Sequence, residues 1–70
     1  MNNLASERIR LGTSQHELGD RIGVSDKTVS RWEAGISLPG GAALVEMSKL
    51  FGCSIDYLLG LTDERTVNNK

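Results

Sequence analysis

A single residue, Val24, stands between Gly23 and Ser25. Glycine stops a helix by taking φ > 0 without steric cost, and serine starts one by accepting a bond from a first-turn amide. A stop and a start this close force two helices to cross over a tight turn. The flanking segments carry the pattern that such a turn requires. Upstream, Ser14 and Glu17 have capping-box spacing, with Thr13 and Leu18 at the staple positions, and Leu18 and Ile22 form an i,i+4 apolar pair. Downstream, a helix over 26–34 places Val29 and Trp32 on one face and ends at Gly35. Gly19 has no side chain on the inner part of the upstream helix, so the downstream helix can pack close. Leu18, Gly19, Ile22, Gly23, Val24, Val29 and Trp32 together form the grammar of a helix-turn-helix.

The rest of the chain extends the same style. Leu4, Arg8, Ile9 and Leu11 sit near helical spacing, with Gly12 as a stop. After Gly35 comes a turn-rich connector, "ISLPGG". A fourth helix over 41–51 puts Leu44, Met47, Ser48 and Phe51 on one face and ends at Gly52. Ser54 caps a short helix over 55–59, closed by Gly60. Strand signals do not recur. The expected fold is all-α: a compact five-helix bundle over 4–60, with its helix-turn-helix at about 14–34 and a polar, flexible tail over 61–70. Seventy residues allow one small domain. No apolar run approaches the roughly 18 residues that cross a membrane, and "MNNLASERIR" has no signal-like apolar stretch. A cytoplasmic protein with no membrane partner is expected. The lone Cys53 fits a reducing compartment and is expected to pack against Phe51 or Ile55.

The third helix shows where function resides. At about 100° per residue, with Val29 at zero, Trp32 lies near −60°. Lys27 then falls near 160°, Arg31 near 200°, and Ser30 and Ala34 between about 100° and 140°. Both cations therefore stand opposite the core, separated by small residues that admit a close-approaching surface. Yet the chain carries a net charge of −1. That balance argues against indiscriminate nucleic-acid binding, while local placement of charge still permits a specific one. Amide-rich helix N-termini can meet phosphates without any lysine. Glu7, Asp56, Asp63 and Glu64 are expected to lie away from such a surface.

The words "RIRLGTSQHELGDRIGVSDKTVSRWEAG", then "LP", then "LFGCSIDYLLG" resemble the Xre-like, phage-repressor and Cro-type helix-turn-helix DNA-binding domains over 4–60. The resemblance implies that the third helix enters the DNA major groove. Its matched base-facing positions are Asp26, Lys27, Thr28 and Arg31, and Gln15 matches a position that orients on the DNA at the start of the second helix. Ser25 and Ser30 complete the expected DNA-binding set. Arg8 and Glu33 match a partly buried ion pair joining the first helix to the third. Two departures stand out: Gly40 and Gly41 occupy places usually held by a capping hydroxyl and an apolar residue, and "ISLPGG" lacks the common cation.

Each residue also has a plainer reading. Arg31 is either a bidentate guanine reader or a solvated cation near a helix C-terminus; inside this motif the reader is expected. Lys27 reads guanine or holds a phosphate, and phosphate is the expected partner. Thr28 offers a methyl to thymine or packs at the core edge. Asp26 accepts from cytosine N4 or serves the helix dipole, and the structural use is the larger share. His16 has no second histidine or cysteine cluster to build a zinc site. No nucleophile–base set can be assembled, so no enzyme, cofactor or metal is expected. The reading is a small repressor that binds double-stranded DNA at a palindromic operator as a homodimer, with assembly on DNA alone as one route. Residues 55–59 and Leu61 are the expected contact surface. The alternative is a protein-interaction module, such as an antitoxin that binds a partner toxin.

Overall fold

The computed structural model describes residues 2–66. Among them are five helices: α1 (Leu4–Leu11), α2 (Gln15–Ile22), α3 (Asp26–Glu33), α4 (Gly41–Phe51) and α5 (Ile55–Leu58). They pack as an all-α bundle around one core. Local chemistry sets most of their ends. The Ser14 hydroxyl accepts from the Glu17 amide at 3.0 Å, and the Glu17 carboxylate accepts from the Ser14 amide at 2.9 Å. Ser25 caps α3 by accepting from the Thr28 amide at 3.2 Å, and Ser54 caps α5 from Tyr57 at 3.1 Å. Gly23 takes the left-handed conformation, φ 80°, that the turn after α2 requires.

Two helices end one residue earlier than the sequence suggests. Ala34 and Leu59 keep right-handed backbone angles as caps of α3 and α5, and the left-handed residues are the glycines that follow them. At the start of α4, Gly40 supplies no side-chain cap, but its carbonyl accepts from the Leu44 amide at 3.0 Å, so the helix is formed from Gly41.

Leu18, Val29, Met47 and Leu58 form the fully buried centre, joined by Leu4, Trp32, Phe51 and Cys53. Burying a side chain of this size contributes about 1.5–3 kcal/mol. The helically spaced apolar residues of α1 divide between core and surface. Leu4 is buried, whereas Ile9 and Leu11 are 66% and 44% exposed. Glu7, expected only to lie away from the surface of α3, is buried at 3% exposure. The reason is a distant partner: Arg65, beyond α5, reaches back and bonds both Glu7 carboxylate oxygens. The chain start is tied down too, since the Asn3 amide donates to the Leu58 carbonyl at 3.0 Å and its side chain to the Tyr57 carbonyl at 2.7 Å. Of the expected tail, 61–66 includes this Arg65 anchor, and 67–70 lie outside the described residues.

Candidate nucleic-acid interface

The α2–α3 elbow rests on one close approach. A Cβ added to Gly19 would stand 2.5 Å from the Val24 carbonyl oxygen, where no side chain fits. The Gly19 carbonyl itself accepts from the amides of Gly23 at 2.8 Å and Val24 at 2.9 Å. That contact brings the turn onto α2 and sets the angle at which α3 leaves it.

Val29 and Trp32 then fix the roll of α3, being buried at 1% and 6% exposure. Lys27, Ser30 and Arg31 face solvent on the other side, with Ser25 and Asp26 exposed at the N-terminal end. Thr28 is half-buried and shares a hydroxyl–hydroxyl bond of 3.1 Å with Ser25. The Ser25 hydroxyl is thus committed to the cap and to Thr28. Asp26 lies in the first turn of α3, where an acid favours the helix dipole.

Behind this face lies a network of four residues. Arg8 donates through Nε to Glu33 Oε2 at 2.6 Å and through Nη2 to Oε1 at 3.2 Å. Its third nitrogen, Nη1, bonds the Thr13 carbonyl at 2.9 Å, just before α2. The two side chains are 15% and 9% exposed, so the pair is partly buried. Hydrogen bonding to Glu33 raises the Arg8 pKa above its ordinary value. Gln15 joins the pair by donating its amide to Glu33 Oε1 at 3.0 Å. Gln15 is therefore fixed by the last residue of α3 and sits half-buried at the first position of α2.

Two ties escape sequence reasoning. The Gln15–Glu33 bond spans 18 residues, and the Asn2 side chain donates to the Trp32 carbonyl at 3.0 Å across 30. Neither has a local signal, because a single polar residue at a helix edge is commonplace. His16 lies 3.4 Å from Asp20 on an exposed helix face. No group of three potential metal ligands occurs among the described residues, and no described helix is long and apolar enough to cross a membrane.

Comparison with known proteins adds independent findings. The family model described as Helix-turn-helix matches residues 4–58. Repressor protein C2 of Salmonella phage P22 is 43% identical over 61 residues, covering 80% of this chain and 28% of the relative. The uncharacterized HTH-type transcriptional regulator YobD of Bacillus subtilis (strain 168) is 33% identical over 51 residues, covering 73% of this chain and 46% of the relative. The chain thus spans less than half the length of either. Among solved structures, the P22 c2 repressor in complex with a synthetic operator superposes with a TM-score of 0.78 at 37% identity, covering 86% of this chain and 91% of that one. A transcriptional regulator from Listeria innocua has the same TM-score at 28% identity, covering 97% and 62%.

Proposed function

This chain belongs to the helix-turn-helix family of DNA-binding transcriptional regulators, and from that premise we propose that it is a sequence-specific repressor that reads the major groove with α3. The observation that carries the reading is the division of α3 into two faces. Val29 and Trp32 lock one face to the core, while Lys27, Ser30 and Arg31 stand free on the other. A rigid helix with an exposed cationic face is what major-groove reading requires. Arg31 pairs bidentately with a guanine, Lys27 holds a phosphate, and Gln15, held by Glu33, steadies the protein against the backbone beside α2. Likeness to a repressor bound to its synthetic operator supports the same orientation.

The protein binds as a two-fold dimer. Two exposed cations per recognition helix on a chain of net charge −1 give weak phosphate attraction, so one domain alone binds poorly. Leu61, 73% exposed just beyond α5, is the proposed centre of the contact between copies. Cytoplasmic location follows from this role.

A second reading, binding of a partner protein such as a toxin, rests on Ile36 and Leu38, which are 64% and 76% exposed in the α3–α4 connector. Selection from a random duplex library separates the two. The DNA reading expects enriched palindromes with half-site centres about 10 base pairs apart. Arg31→Ala should relax preference at one position per half-site, at a cost of about 1–3 kcal/mol. A library from which nothing is enriched would favour the protein-partner reading.

A further inference from the structure

Glu7 is the one buried charged residue among those described. Its two oxygens accept from Arg65 Nε and Nη2, each at 2.9 Å, across 58 residues of sequence. The same guanidinium donates to the Phe51 carbonyl at 2.6 Å and reaches the Gly52 carbonyl at 3.4 Å. Those carbonyls belong to the C-terminal end of α4, where helical carbonyls lack intrahelical donors and a cation is favoured. The Arg65 carbonyl in turn accepts from the Ser54 amide at 2.8 Å. Arg65 therefore bonds residues 51, 52 and 54 and straddles Cys53, which is buried at 5% exposure. Burial, reinforced by the Glu7 charge, pushes the Cys53 thiol above its ordinary pKa.

Apart from the Leu61 amide, which donates to the Asp56 carbonyl at 2.9 Å, the segment that carries Arg65 is otherwise lightly held. Leu61 is 73% exposed, and Asp63 and Glu64 face solvent. Arg10, the other cation near Glu7, is 4.0 Å away and 62% exposed, so it cannot replace the fork of bonds. A segment anchored mainly through one residue opens locally, well below the free energy of global unfolding.

We propose that residues 61–66 form a latch, held by Arg65 in a preformed guanidinium receptor built from Glu7 and the end of α4, and that opening of this latch uncovers Cys53 while the α2–α3 unit stays folded. The receptor is specific for arginine. A lysine ammonium cannot satisfy two carboxylate oxygens and a carbonyl in one plane. Opening leaves Glu7 with only Arg10, 4.0 Å away, which draws water in beside the thiol.

The test follows the reaction of Cys53 with an aromatic disulfide in native buffer, without DNA. It uses the full chain, Arg65→Gln and Arg65→Lys, each over a range of low urea concentrations. Wild-type labelling should depend only weakly on urea, because a local opening exposes little surface. Arg65→Gln should react about tenfold faster or more, as expected from loss of charge-assisted bonds, with Arg65→Lys in between. Equal rates in all three proteins would overturn the latch. So would a wild-type urea dependence as steep as that of global unfolding, a result that holds even if Arg65→Gln fails to fold.

Discussion

At the scale of single residues, the most consequential side chain is Arg8. Its guanidinium joins Glu33 at the end of α3 to the Thr13 carbonyl before α2, so it braces the elbow from behind. Arg8→Ala leaves Glu33 partly buried with only Gln15 as a partner. The expected loss is about 3 kcal/mol, at the lower end for a broken buried pair because water still reaches Arg8. For a domain this small that lowers the melting temperature by more than about 10 °C; an unchanged melting curve would refute the brace. Glu17 gives a pH-dependent prediction. The Ser14 amide, then the Thr13 and Ser14 hydroxyls, hold its pKa below the ordinary value. Its stabilising contribution is fully present above the unfolded-state pKa and is lost as pH falls through the lowered folded-state value. Glu17→Gln keeps an acceptor for the Ser14 amide but does not titrate. Wild type should therefore melt higher than Glu17→Gln at neutral pH, with the gap closing in acid; a gap constant with pH would contradict the assignment. The Arg8–Glu33 pairing was legible as a family match. Burial of Glu7 was not, because its cause lies far along the chain in a segment that reads as a polar tail.

At the scale of elements, glycines divide into those that the packing needs and those that it does not. Gly19 belongs to the first kind, since a methyl there would meet the Val24 carbonyl oxygen at 2.5 Å. Gly19→Ala should cost about 1–3 kcal/mol by pushing α3 away from α2. Gly41 belongs to the second, because a Cβ there meets nothing within 4 Å and its backbone is ordinary. Gly41→Ala should raise stability by roughly 0.5 kcal/mol by restraining the unfolded chain at the first position of α4. Denaturant midpoints of the two variants should move in opposite directions; movement in the same direction would mean that the elbow contact is not what makes Gly19 necessary. The helices themselves were legible because their signals are local. Ser14, Ser25 and Ser54 announce starts, and Gly12, Gly23 and Gly52 announce stops within one turn. On α1, helical spacing does not say which of several apolar residues finds a neighbour, and Ile9 and Leu11 find none that covers them. On α3, by contrast, the Val29–Trp32 face left only one orientation.

At the scale of the molecule, the proposed dimer must place two copies of α3 in successive major grooves on one face of the duplex. Inserting five base pairs between half-sites turns one of them by about half a helical turn. Cooperative binding should then vanish, and affinity that survives the insertion would rule out the two-fold arrangement. Most helix contacts join neighbours in sequence, so they can form early during folding. The Glu7–Arg65 closure joins residues 58 apart and requires α1, the end of α4 and the turn before α5 to be in place first. It should therefore be absent from the folding transition state. Substituting Arg65 by glutamine should leave the refolding rate near that of wild type and speed unfolding several-fold. A slower refolding arm in stopped-flow measurements would count against this order. The domain's lifetime in the native state, rather than how fast it is reached, is what the last described turn of chain controls.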